Sequence, residues 1–175
     1  MTDAELRLAR LSPTHHLNDF DSGNEVLDNW LKRHAISAQA MDSARTFVLV
    51  QTDRVIGYVS LAMGSVQRAD APAKLVRGMP AYPVGMVLIA RLAIDRSEQG
   101  QGLGRRLLAD ALRMAAIAGE AAAARLIVVD AIDEPAAQFY RRHGFSAEFG
   151  ESHLYLRMKD VRASAEGNRD TLDDG

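Results

Sequence analysis

The sequence predicts an α/β (α+β) fold, with a mixed central β-sheet and helices on both of its faces. Three kinds of segment alternate along its 175 residues. Met86-Val87-Leu88-Ile89-Ala90-Arg91-Leu92-Ala93-Ile94 and Leu126-Ile127-Val128-Val129 are near-continuous apolar runs, as in strands covered on both sides. Val26, Leu27, Trp30, Leu31 and Ala35, and then Leu103, Leu107, Leu108, Ala111, Leu112 and Ala115, recur at helical spacing. Shorter alternating or β-branched runs lie among them.

Taken in order, Leu6 to Leu11 alternates apolar and basic residues and reads as a first strand. Ser22-Gly23-Asn24-Glu25 fits a capping box, Ser22 as N-cap, opening a helix to about Gln39. Thr46 to Gln51 and Val55 to Ala62 flank Thr52-Asp53 and read as a hairpin. Gln67 to Tyr82 holds Pro72, Gly78 and Pro80 and reads as an exposed loop or irregular crossover. The strand 86–94 and the polar turn 95–101 lead into a helix from Gly102, which ends near the alanine run 121–124. After the strand 126–129, Asp133 is placed to N-cap a short helix, with Pro135 in its first turn and Gly144 at C′. The alternation through Leu154, Leu156 and Met158 gives the last strand. One domain is expected over residues 1–162, with a disordered tail over 163–175. The tail's last ten residues carry four acids, one base and a single large apolar residue, Leu172.

Apolar residues make up 47% and charged residues 25%, the balance of a globular protein in water. With no cysteine, disulfides, thiolate zinc sites and a cysteine nucleophile are excluded. No apolar run approaches the ~18 residues of a membrane span, and Met1-Thr2-Asp3-Ala4-Glu5 is acidic, unlike a secretory signal. The cytoplasm is the expected compartment. A net charge of -2, from 21 basic and 23 acidic residues, is not that of a strongly basic nucleic-acid binder. His15 and His16 are adjacent, and His34, His143 and His153 are isolated; no metal site is expected.

Gln99-Gly100-Gln101-Gly102-Leu103-Gly104 stands between a buried strand and a helix. Glycines there let the backbone approach an anion, and the first-turn amides have no intrahelical partner. Arg105 where GxGxxG needs glycine excludes the dinucleotide fingerprint, and no GxxxxGK string followed by Ser or Thr exists. A pyrophosphate cradle and a plain glycine turn are the two remaining readings. Further on, Ala136 and Tyr140 are four apart and share a helix face.

With these motifs the chain resembles the GNAT acyltransferases over roughly residues 5 to 160. The family's loop is Arg or Gln, two residues, Gly, one residue, then Gly or Ala, matched by Gln99 to Gly104. The resemblance implies acetyl-CoA as donor, held in a slot where central strands splay. It places the pantetheine arm along Leu92, Ala93 and Ile94, and the pyrophosphate on Gln99, Gly100, Gly102, Leu103, Gly104 and Arg105. Ala136 is small enough to let the cofactor pass, and Tyr140 takes the role of general acid on the leaving thiolate. Family members often carry an asparagine before this helix; this chain has Asp130 and Asp133.

The resemblance is closer to GNAT-type toxins of toxin–antitoxin pairs. It rests on Phe20 to Leu31, Arg45-Thr46-Phe47-Val48, Val55-Ile56-Gly57-Tyr58, Arg91 to Asp95 and Phe139-Tyr140. It implies acetylation of the α-amine of aminoacyl-tRNA, a small DNA-binding antitoxin of ribbon-helix-helix type, and a homodimer. An RNA acceptor needs basic surface; the candidates are Arg91, Arg141, Arg142, Lys32, Arg33 and Arg77, with Arg68, Lys74, Arg105 and Arg106 beside them. The competing expectations are a GNAT enzyme acting on a small amine, a polyamine or a protein N-terminus, and a non-enzymatic acyl-CoA-binding module.

Overall fold

A computed structural model describes residues 5–146 and 152–170. The strands are β1 (Leu6–Arg10), β2 (Arg45–Gln51), β3 (Arg54–Val66), β4 (Val84–Ile94), β5 (Leu126–Asp130) and β6 (His153–Arg157). The helices are α1 (Glu25–Arg33), α2 (Ala35–Ala40), α3 (Ala73–Val76), α4 (Leu103–Ala122), α5 (Glu134–Arg142) and α6 (Met158–Asp170). The strands form a six-stranded mixed sheet in the order β1-β2-β3-β4-β5-β6. The chain divides into two compact units, residues 1–62 with 89–111 and residues 63–88 with 112–175.

In the first unit β1 runs antiparallel to β2, pairing Leu6 with Gln51 and Arg10 with Phe47, and β2 runs antiparallel to β3. Thr52 and Asp53 both have positive φ (45° and 61°), the left-handed pair that a two-residue hairpin turn requires. Tyr58 centres the core. Its ring meets Phe20 edge-on at 5.7 Å and stacks on Trp30 at 6.2 Å, and its hydroxyl donates to the Leu27 carbonyl at 2.7 Å.

The cap of α1 differs from the sequence expectation. Asn24 is the N-cap, its Oδ1 accepting from Val26 N and Leu27 N. Ser22 is unavailable for that role because its hydroxyl donates to Asp28 Oδ1 at 2.6 Å. The single helix expected to Gln39 is two, broken at His34. The break re-aims α2 so that Gln39 Nε2 donates to the Leu11 carbonyl at 2.7 Å while its Oε1 accepts from Thr46 N at 3.2 Å.

In the second unit β5 runs antiparallel to β6, pairing Leu126 with Arg157 and Asp130 with His153. Leu75, Val76, Val84, Leu126, Val128 and Tyr155 form its core. The expected exposed loop 67–82 therefore contributes buried residues. Pro72 opens the one-turn helix α3, and Leu75 and Val76 turn inward. A four-residue helix is too short to reveal a period in sequence.

Asp133 caps α5 with Pro135 in its first turn, and Gly144 follows with φ +93°, as expected. Beyond β6 the chain continues as α6 to Asp170, so for residues 163–170 helix replaces the expected disorder. Met158 starts that helix fully buried. The rest of the expected tail, 171–175, lies outside the described residues. Within β4, burial on both sides holds only in part. Val87, Ile89, Ala93 and Ile94 are buried, whereas Ala90, Arg91 and Leu92 are half-buried. Among the described residues no helix is long and apolar enough to cross a membrane.

Gly57 on β3 has no room for a side chain. A Cβ there would lie 2.8 Å from Ile94 Cδ1 and 3.2 Å from the Ala93 carbonyl oxygen. Gly57→Ala is expected to lose about 1–3 kcal/mol by overpacking, read as a lower midpoint in denaturant; an unchanged midpoint would show that β3 and β4 yield at this point.

Candidate active site

In the first unit, the link from β4 to α4 is built around Asp95. This carboxylate is buried. Its Oδ2 accepts from the backbone of Asp21 at 3.0 Å. Its Oδ1 accepts from Ser97 N (3.0 Å), Ser97 Oγ (2.7 Å) and the Arg54 guanidinium (3.2 Å). Burial pushes the Asp95 carboxyl up, but the Ser97 and Asp21 hydrogen bonds and Arg54 outweigh it, and the group sits below the ordinary carboxylate range. Arg54 also contacts Ser97 Oγ and Glu98 Oε1. Asp21 is the outer partner. Its Oδ1 accepts from Gly23 N and from Arg96, both at 2.9 Å, and these hold its carboxyl below the usual range.

Gln99 continues the anchoring. Its Nε2 donates to the carbonyls of Ser22 and Ile94, each at 2.9 Å. The side chain expected near the pyrophosphate thus clamps the loop to the segment before α1.

The glycines beyond it are shaped for an anion. Gly100 and Gly102 have φ of +82° and +78°, and a Cβ at either would meet nothing within 4 Å. The helix ladder begins when Arg106 N donates to the Gly102 carbonyl at 3.1 Å, so the amides just ahead of it lack intrahelical partners. Arg105 is exposed and makes no ion pair among the described residues. Free amides, open space and an uncommitted guanidinium suit a diphosphate. Next to this loop on β4, Leu92 is half-buried, while Ala93 and Ile94 turn into the core.

Arg91, also in the first unit, lies with its guanidinium carbon 4.1 Å from the centroid of Trp30, which itself stacks on Tyr58. Desolvation lowers its proton affinity, and no carboxylate pairs with it among the described residues. Lys32 and Arg33 are exposed in the last turn of α1.

In the second unit, α5 carries Tyr140. Asp133 Oδ1 accepts from Ala136 N at 2.9 Å and fixes the first turn. Ala136 is half-buried one turn before Tyr140, which is buried between Phe139 (5.3 Å) and Phe145 (5.5 Å). Burial pushes the Tyr140 hydroxyl well above its ordinary value, so it remains a proton donor through neutral pH. Arg141 is paired with Glu134 at 3.1 Å, and Arg142 Nε donates to the Gln138 carbonyl at 3.3 Å. Arg77 is exposed after α3. Asp130 accepts from Ser152 Oγ at 2.7 Å, so both aspartates ahead of α5 have structural roles.

Sequence reasoning missed Asp95, Arg54 and Asp21. The signal within reach was Asp95-Arg96-Ser97, an aspartate two residues before a serine directly after a strand. Among the described residues no three His, Cys, Asp or Glu side chains could hold a metal ion together.

Residues 42–147 match the acetyltransferase (GNAT) domain family. The chain is 40% identical over 155 residues to the tRNA-acetylating toxin of Mycobacterium tuberculosis, covering 88% of this chain and 93% of that protein. Among solved structures it is similar to AtaT complexed with acetyl-methionyl-tRNAfMet, with TM-score 0.83, 29% identity, and 91% and 98% of the two chains covered. It is also similar to a tyrosine-to-phenylalanine mutant of the AtaT toxin bound to the C-terminus of the antitoxin AtaR and acetyl-CoA. There the TM-score is 0.79 at 29% identity, with 91% and 97% covered.

Because the Asp95 carboxyl is lowered in the folded state, the stability it contributes is present above the unfolded value near 3.9 and is lost as pH falls through the folded one. Asp95→Asn is expected to melt roughly 3–6 °C below the parent at pH 6, and the gap is expected to shrink below about pH 4. Melting curves across pH check this; a gap independent of pH would remove the carboxylate's charge from the account.

Proposed function

The chain belongs to the GNAT acetyltransferase family, and on that premise we propose that it is a toxin that uses acetyl-CoA to acetylate the α-amine of aminoacyl-tRNA and so blocks translation. The observation that carries this reading is the 40% identity to a tRNA-acetylating toxin over nearly the whole of both chains. The acetyltransferase domain is read as residues 1–162. Acetyl-CoA is held by its pyrophosphate on Gly100, Gly102, Leu103, Gly104 and Arg105, with its pantetheine arm along Leu92, Ala93 and Ile94 and past Ala136. Gln99 serves by fixing the loop.

The transfer needs no covalent enzyme intermediate, and the chain has no cysteine to form one. The neutral amine nitrogen attacks the thioester carbonyl carbon. The C–N bond forms, the C–S bond breaks, and the amine's surplus proton passes to water. Tyr140 gives its hydroxyl proton to the departing thiolate and is reprotonated from solvent; its buried, un-ionised hydroxyl supports that role. An α-amine with a pKa near 8 is about one-tenth neutral at pH 7, whereas a lysine amine is neutral in only about 0.04% of molecules. The first can react without a dedicated base.

Arg91, Lys32, Arg33, Arg77, Arg141 and Arg142 are assigned to the acceptor. Arg91 is the best supported, since the indole beneath it holds a guanidinium that no carboxylate among the described residues neutralises. A small DNA-binding antitoxin of ribbon-helix-helix type, a homodimer and a cytoplasmic location complete the reading.

The test is acetyl transfer from radiolabelled acetyl-CoA to a pool of charged tRNA, with uncharged tRNA, free amino acids and polyamines as controls. Label is expected on charged tRNA alone; label on a small amine instead would overturn the acceptor assignment. In the same assay Tyr140→Phe is expected to lower turnover by about 10²–10⁴ with acetyl-CoA affinity unchanged. Unchanged turnover would exclude Tyr140 as the acid.

A further inference from the structure

A cavity of ≈ 470 Å³ lies in the second unit, among α3, the C-terminal turn of α4, the link from α4 to β5, the end of β6 and the start of α6. Its size is that of a small-ligand site. None of the residues assigned above to acetyl-CoA, to proton transfer or to the acceptor lines it, and of the basic candidates read from the sequence only Lys74 does. Its charge is one-sided: Lys74, Arg125, Arg157, Lys159 and Arg162 face Glu120 as the sole carboxylate of the lining. The floor is apolar, with Leu75 and Met158 each 2% exposed.

The guanidiniums are oriented from within. Arg125 Nε donates to the Leu75 carbonyl at 2.9 Å, which steadies the side chain at the cavity's edge. Arg157 Nε pairs with Asp160 at 2.8 Å. Arg162 Nε is enclosed and has no hydrogen-bond partner among the described residues.

We propose that this cavity binds the phosphodiester backbone of the tRNA acceptor. The proposal rests on the reading of the chain as a tRNA acetyltransferase, and it extends the acceptor's footprint to residues outside those already assigned. Planar guanidiniums match phosphate oxygens in pairs, which favours phosphodiester over a carboxylate-bearing peptide. A half-open cavity of this volume also suits a backbone unit better than a docked helix, which is ~10 Å across. Contacts of this kind read no bases; they fix register and raise affinity in a salt-dependent way.

The test is fluorescence anisotropy of labelled charged tRNA on the full chain over a range of KCl concentrations. The variants are Lys159→Gln with Arg162→Gln, and separately Glu120→Gln, each checked for folding by circular dichroism and for acetyl-CoA affinity. The double variant is expected to raise Kd for tRNA roughly tenfold at low salt and to flatten the slope of log Kd against log salt by about 1.4–1.8, the share of two phosphate contacts. Acetyl-CoA affinity is expected to stay constant. Glu120→Gln is expected to lower Kd, a gain that damage to the fold would not produce. An unchanged Kd and slope in a folded double variant would overturn the proposal. So would a loss seen only with a poly-glutamate peptide used as competitor, which would assign the cavity to an acidic protein segment. The acetyl-transfer assay is a separate readout: wild-type protein that binds tRNA through these residues but leaves it unacetylated would overturn the enzymatic reading and sustain the cavity assignment.

Discussion

Asp95 brings a negative charge into the first unit at the point where β4 stops being a strand. Four donors hold it there: the backbone of Asp21, the backbone and hydroxyl of Ser97, and the Arg54 guanidinium. A buried carboxylate without such partners would be strongly destabilising. With them it fixes the 3-10 turn Arg96–Glu98 and ties it to the segment leading into α1. Gln99 adds a second tie to Ser22. The two glycines that follow are therefore presented by a hydrogen-bonded frame, with open space where a side chain on either would stand. A loop of free amides binds an anion well only if it does not have to be ordered first.

The second unit handles a proton and, in our reading, a polyanion. α5 gains its start from Asp133 and its end from Gly144, and between them it buries the Tyr140 ring against two phenylalanines. The same burial that packs the ring also keeps the phenol protonated, so one arrangement stabilises the helix and holds the proton in place. The basic cavity is of another kind. Its cations come from α3, the link before β5, the end of β6 and the first turns of α6, and Leu75 of its apolar floor is part of the unit's core.

What could be read in the sequence was what short-range physics decides. The hairpin turn at Thr52-Asp53, the Asp133 cap with Pro135, the C′ glycine Gly144 and the glycine loop before α4 each depend on neighbours a few residues away, and each was legible. The α1 cap was misjudged because Ser22 answers to Asp28 rather than to its own helix start. The anchoring of the loop was invisible because Asp21 and Asp95 are 74 residues apart. The burial of Leu75 and the helix after β6 depend on packing that no periodicity announces. Arg125, Arg157, Lys159 and Arg162 escaped notice for a related reason: in the sequence they are scattered charges, and only the fold sets them around one space.

Hydrogen exchange on backbone amides, followed by mass spectrometry with and without acetyl-CoA, tests most directly whether the Asp95-anchored glycine loop is the binding surface. The account predicts slower exchange from Gly100 to Arg106 on adding acetyl-CoA, with exchange around Asp21 to Gly23 already slow before it is added. Protection that leaves this loop untouched, or a loop that exchanges freely until the ligand arrives together with Asp21 to Gly23, would contradict it.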